Sequence, residues 1–242
     1  MHTVRIFLLA AVLSGGSADS SRKLSVLVGT DVTVSCLFDA LNQLVEWSAL
    51  TVEWNMVDKH AQKNMVYTFE DGKAHVSRDN SVVDRNGLLR SNASLLLRNV
   101  TVADEGLYTC RVITPVVHIE STSLEVLARP SVLLPEKAAV IEGEEKTILC
   151  DITGFYPEKL AVTWYIQNES HIVQAGSSPL SHVCTEMAVN NPDSTFNIRS
   201  SITLHSSAVK SGGIKIICQV DHSTYISPYS KSVTLTLQGK FT

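Results

Sequence analysis

A cysteine, a tryptophan and a second cysteine recur in the same order twice along this chain: Cys36, Trp54 and Cys110, then Cys150, Trp164 and Cys218. The two cysteine separations, 74 and 68 positions, are nearly equal. Between these markers run short segments such as "DVTVSCLF", "LTVEWNMV", "SLLLRNVTV", "KTILCDI", "LAVTWYI" and "KSVTLTL". They are rich in Val, Ile, Thr and Leu, largely alternating, and separated by turn residues, which is the pattern of half-buried strands. Long helical periodicity is absent. The expected class is therefore all-β, two tandem sandwiches rather than the α/β core of an enzyme.

The compartment decides how cysteines are read. The opening "MHTVRIFLLAAVLSGGSADS" places Arg5 before the apolar run Ile6 to Leu13, followed by small residues spaced for cleavage after Ala18. That is a secretory signal peptide over residues 1–18, too short to span a bilayer. In an oxidising compartment the five cysteines are disulfide partners before they are metal ligands or nucleophiles. Cys184 is the odd one, expected as a buried free thiol in preference to an interchain bond or a redox contact. With a net charge of −4 the chain has no basic field to draw nucleic acid or an anionic membrane. No later stretch approaches about eighteen uninterrupted apolar residues. The expected location is extracellular: secreted, or the outer side of the plasma membrane if an anchor follows Thr242.

Cys…Trp…Cys at this spacing is the signature of the immunoglobulin sandwich, in which a disulfide joins the two sheets and the indole packs on it. It implies the pairs Cys36–Cys110 and Cys150–Cys218. "DEGLYTC" adds Tyr108, two positions before its cysteine, as a tyrosine corner. By resemblance to variable-type domains, Asp104 is a candidate to pair with an arginine at the opposite edge, Arg78 in preference to Arg85. The long segment between Trp54 and Cys110 leaves room for extra strands, so residues 19–128 are expected as a variable-type domain. "CDITGFYPEKLAVTW" and "CQVDH" resemble constant-type domains, expected over 129–242. Ile216 stands where that class carries a tyrosine, so the second corner is expected to be absent. "LARPSVLLP" is the junction, its prolines limiting helix and strand pairing.

"SNASLLLRNVTVADEGLYTCRV" resembles the butyrophilin and T-cell costimulatory-ligand family, the "B-seven" group. Asn92, Ala93, Ser94, Leu95 and Leu97 match its run before the second cysteine, with Ser91 replacing a glycine. "RVITP" and "GFYPE…TW" are most similar to the branch that supplies ligands of natural-killer activating receptors. The Phe/Trp-Gly-x-Gly of antigen-receptor chains is missing from "VVHIESTSLEVLA", which argues against a rearranged receptor. The resemblance implies a non-enzymatic cell-surface ligand whose first domain meets a lymphocyte receptor, itself an immunoglobulin domain. An endoplasmic-reticulum peptide-loading chaperone resembling tapasin and a homophilic adhesion module are the alternatives, and a homodimer is compatible with either arrangement.

Strand parity nominates the contact residues. With Cys110 and Val112 inward, Arg111 and Ile113 face outward; with Trp54 inward, so do Glu53 and Asn55. Tyr67 and Phe69 share one parity on the next strand and belong either to this face or to the core. Pro115, Val116 and Val117 form an apolar edge just past the strand. Three sequons, at Asn92, Asn99 and Asn168, are glycan acceptors. No nucleotide-loop, Cys-x-x-Cys, His-Glu-x-x-His or Gly-x-Ser-x-Gly motif occurs, and the histidines lack ligand spacing, so neither cofactor, metal nor catalytic residue is expected.

Overall fold

The computed structural model describes residues 22–39, 47–168, 171–176, 180–209 and 212–239. The expected signal peptide, residues 1–18, lies outside them. The first unit contains β1 (Arg22–Leu27), β2 (Val32–Val34), β3 (Thr51–Asp58), β4 (Lys63–Glu70), β5 (Lys73–Val76), β6 (Ser81–Val83), β7 (Leu95–Leu97), β8 (Gly106–Ile113) and β9 (Val117–Leu127). They form a six-stranded sheet, β1-β9-β8-β3-β4-β5, facing a three-stranded one, β2-β7-β6. The second unit contains β10 (Ser131–Leu133), β11 (Lys137–Ile141), β12 (Glu145–Phe155), β13 (Leu160–Asn168), β14 (His171–Gln174), β15 (Ser181–Thr185), β16 (Val189–Asn190), β17 (Phe196–His205), β18 (Ile214–His222) and β19 (Tyr229–Gln238). Its sheets run β10-β12-β17-β15, with β16 on β17, and β11-β19-β18-β13-β14.

Each sandwich is closed by the disulfide its spacing implied, Cys36–Cys110 and Cys150–Cys218. Both indoles are almost fully buried. A buried indole N–H needs an acceptor. Trp54 donates to the carbonyl of Ala93 at 2.8 Å, and Trp164 to the hydroxyl of Ser200 at 2.9 Å. Inward-facing Val, Leu and Ile from both sheets complete the two cores around these centres.

The tyrosine corner is present in the first unit, where the Tyr108 hydroxyl donates to the carbonyl of Asp104 at 3.0 Å. Burial, then the neighbouring Asp104 charge, push that phenol's pKa far up, so it stays a neutral donor. Arg78 rather than Arg85 is the partner of Asp104. Its Nε and Nη2 reach the two carboxylate oxygens at 2.6 and 2.8 Å, a bidentate pair. Arg85 instead lies over the rings of Trp47 and Phe69. In the second unit Ile216 is wholly buried at the position a corner tyrosine would take. Apolar packing replaces the hydrogen bond there.

The two units meet through specific contacts. Ala128 and Tyr156 exchange backbone N–H···O bonds of 2.9 and 3.1 Å. Val102, Ala128 and Tyr156 bury one another, with Phe196 packed beside them. The Lys59 ammonium sits 5.6 Å from the centroid of the Tyr156 ring. Burial, a hydrogen bond to Glu105 and that carboxylate's charge push the Tyr156 phenol up to about 12. The Tyr225 hydroxyl donates to the carbonyl of Pro130 at 2.9 Å, tying the second unit to the connecting segment.

Candidate recognition face

The outer surface of the six-stranded sheet is assembled from strand registers. One row crosses five strands: Ile119 opposite Arg111, Arg111 opposite Glu53, Glu53 opposite Thr68, and Thr68 opposite His75. The next row is Ser121, Thr109, Asn55 and Met65. A third, toward the loop end, is Val117, Ile113 and Thr51. Arg111, Ile113, Glu53 and Asn55 thus stand on one surface, as their parity implied.

Arg111 Nη1 lies 3.2 Å from Glu53 Oε2, with the two side chains 44% and 29% exposed. Such an exposed pair contributes under about 1 kcal/mol to folding. On the same face, Ile119 is 61% exposed, Val117 50% and Met65 44%, and Val116, in the adjoining turn, is 51% exposed. Scattered apolar surface is ordinary; several β-branched side chains and a methionine around one Arg–Glu pair make a contiguous face with the composition of an interface. Pro115, Val116 and Val117 occupy the β8–β9 turn and the first position of β9. The turn is held by Thr114, whose amide and hydroxyl both donate to the carbonyl of Val116 at 3.1 and 2.8 Å.

Tyr67 and Phe69 do not join this face. They are 2% and 0% exposed and belong to the core. The β3–β4 register shifts between Trp54 and Asn55: Tyr67 opposes Trp54 while Met65 opposes Asn55, leaving Val66 as the extra residue of a bulge. Tyr67 and Phe69 face inward with Trp54 and Val52, which they oppose in unbroken register, and the bulge turns Met65, of the same sequence parity, outward. Burial raises the Tyr67 phenol's pKa, against the lowering effect of the Arg85 charge. Ile119 and Met65 are the members that sequence reasoning missed. Ile119 shares the parity of Val117 and was within reach of that rule; Met65 was hidden by the bulge.

Asn92 and Asn99 are exposed and bracket β7, on the sheet opposite the face. Asn92 bridges to Leu37 through the backbone, and the Asn99 backbone N–H donates to Asp31 Oδ1 at 2.9 Å. Asn168 ends β13; the other two residues of its sequon lie outside the described residues. Among the described residues one group of potential metal ligands comes together, Cys36, His118 and Glu120. The Cys36 sulfur is consumed by the disulfide, and Glu120 is paired with Arg22 at 2.7 Å, so the group holds no free thiolate for a metal.

Cys184 is exposed, not buried. It pairs with Ser201 on β17, next to the inward-facing Ile202, and therefore stands on the outer side of its sheet. Protein purified as the monomer is expected to yield one thiol per native chain with Ellman's reagent, and none in Cys184→Ser. A thiol that reacts only after unfolding would contradict this placement.

Comparison with known proteins agrees with this architecture. The "Immunoglobulin V-set domain" model matches residues 19–127, and the "Immunoglobulin C1-set domain" model matches residues 131–225. The chain is 31% identical to human (Homo sapiens) "Natural cytotoxicity triggering receptor 3 ligand 1", over 78% of this chain and 40% of that protein. It is 28% identical to human "Tapasin-related protein", over 88% of this chain and 43% of that protein. It thus spans less than half the length of these relatives. Among solved structures, that of Rst D1-D2 superimposes with a TM-score of 0.55 at 14% identity, covering 90% of this chain and 96% of the other, which speaks for the fold alone. Matched models, paired strands and bridged cysteines agree that this chain carries a V-set immunoglobulin domain followed by a C1-set immunoglobulin domain.

Proposed function

We propose that this chain is the ectodomain of a cell-surface immune ligand, which binds a lymphocyte receptor through the outer face of β9, β8, β3 and β4. The observation that carries the reading is that face: an Arg111–Glu53 pair of little worth to folding, set among exposed Ile119, Val117, Val116 and Met65. An interface with an apolar centre and an arginine at its heart is the usual composition of a recognition hot spot. The sequons at Asn92 and Asn99 stand on the opposite sheet, so glycans there leave the face open. The similarity to a protein named as a receptor ligand supports the same assignment. The receptor is an immunoglobulin-domain protein, the second domain is the stalk, and the ligand modulates T-cell or natural-killer-cell signalling without performing catalysis. The likeness to tapasin-related proteins over 88% of the chain favours a second reading, a peptide-loading chaperone of the endoplasmic reticulum.

The test is binding of an Fc-fused chain to cells that each display one lymphocyte receptor. Arg111→Glu and Ile113→Asp are expected to weaken binding at least about tenfold, the cost of a hot-spot side chain, with the thermal midpoint unchanged. Retention of full binding by both variants would place the contact elsewhere. Binding to peptide-receptive histocompatibility molecules, with none to any displayed receptor, would favour the chaperone.

A further inference from the structure

The first strand of the second domain is split. β10 pairs with β12 only at Ser131–Thr153, Val132–Ile152 and Leu133–Asp151. The chain then turns through Leu134 and Pro135, and β11 runs parallel to β19 in the other sheet. β12 continues to Glu145, bonded to β17 along its other side. Among the described residues, no strand is therefore hydrogen-bonded to the β10-side edge of β12 from Glu145 to Cys150, although β11 passes nearby on its way to the other sheet. Every second residue of a strand directs its N–H and C=O to the same side, so this edge presents a row of unpaired donors and acceptors.

The split also opens a groove of about 520 Å³ along that edge. It is lined by Leu134, Pro135 and Ala138 from the segment that joins β10 to β11, and by Thr147, Ile148 and Leu149 from β12. Leu133 at its head is 66% exposed and Leu149 42%. The two cations lining it are Lys137 and Lys146. Its one carboxylate, Asp151, is already held by Arg199 at 2.6 Å. Glu136, Glu144 and Glu145, adjacent in sequence, are not among the lining residues.

We propose that this groove receives an extended peptide segment of a partner, which adds a strand to β12 and carries acidic residues at its ends. The repeating backbone edge selects another backbone, since a compact ligand cannot satisfy donors and acceptors spaced along about 16 Å of strand. The apolar walls select alternate aliphatic side chains, and Lys137 and Lys146 select carboxylates over amines. The site lies in the second domain, so it is independent of the receptor face described above.

The probe is the fluorescein-labelled peptide Glu-Val-Thr-Val-Thr-Val-Glu, titrated into the full secreted chain and read by polarisation. Saturable binding is expected, with slowed amide exchange in β12 between Glu145 and Leu149. Exchanging both peptide glutamates for lysine, or using the chain's Lys137→Glu/Lys146→Glu double variant, is expected to weaken it about tenfold, the sum of a few exposed charge pairs. N-methylation of alternate peptide amides, in whichever of the two registers faces the edge, is expected to abolish it on the unaltered protein. That arm decides the matter if the double variant proves unstable. No binding at millimolar peptide, equal binding of the lysine peptide, or binding that survives N-methylation in both registers would overturn the proposal. Self-association of a Lys146→Thr variant in the absence of peptide binding would likewise overturn it, leaving Lys146 as a guard of the edge.

Discussion

Asp104→Asn is expected to destabilise the V-set domain by about 3 kcal/mol, the cost of removing one member of a buried ion pair. For a domain of this size that lowers its calorimetric midpoint by about 10–15 °C, while the C1-set transition stays in place. The size of the effect follows from what Asp104 holds. Its Oδ2 accepts from the Thr101 amide at 2.7 Å and from Arg78 Nη2 at 2.8 Å, and its Oδ1 accepts from Arg78 Nε. The same residue's carbonyl receives the Tyr108 hydroxyl. Burial alone would raise the carboxyl's pKa; the Arg78 hydrogen bond, the Thr101 amide and the Arg78 charge outweigh it and hold the pKa below the usual carboxylate value. A depressed native pKa contributes stability that is complete above the unfolded value near about 4 and is lost as pH falls through the native one. The wild-type domain should therefore lose stability on acidification below pH ~4 more steeply than the Asn variant. Parallel acid profiles would contradict the assignment.

Removing the first disulfide by Cys36→Ala/Cys110→Ala is expected to cost about 4 kcal/mol. The estimate comes from the entropy an open loop of this length restores to the unfolded chain; the bridged residues are 74 positions apart. Both sulfurs lie in the fully buried centre of the V-set core, beside Trp54, so the alanines add a small cavity to the entropic loss. Chemical denaturation followed by tryptophan fluorescence measures it. A loss below about 1 kcal/mol would mean that packing around Trp54 alone closes the sandwich.

The parts legible in the sequence are those fixed by a covalent or single-acceptor requirement. Cys…Trp…Cys implied both disulfides through the immunoglobulin signature, and Tyr108 implied the corner, while the resemblance offered Asp104 two arginines and only the tertiary contacts single out Arg78. Parity gave Arg111, Ile113, Glu53 and Asn55, since β3 and β8 are paired without interruption from Thr51–Ile113 to Asp58–Gly106. Tyr67 and Phe69, which parity left between face and core, are core because they oppose the inward Trp54 and Val52, a register that composition does not reveal, and the bulge beyond Tyr67 hid Met65. Cys184 was misplaced for a related reason: thiols are usually interior, and only the register of β15 on β17 turns this one outward. The split of the first C1-set strand was half legible. Pro135 announced a break, but which sheet each half would join depends on tertiary pairing.

A receptor is expected to dock on the sheet face centred on Arg111 and Glu53. Val57→Thr makes Asn55 a glycan acceptor in the middle of that face, at a partly exposed position where a hydroxyl replaces a methyl. The measurement is binding of the glycosylated variant to cells carrying the receptor that the unaltered chain recognises, alongside an Asn92→Gln/Asn99→Gln variant stripped of glycans on the opposite sheet. The new glycan is expected to abolish binding at an unchanged thermal midpoint, while the stripped variant binds as well as the wild type. Full binding by a chain shown by mass to carry the glycan on Asn55 would contradict it.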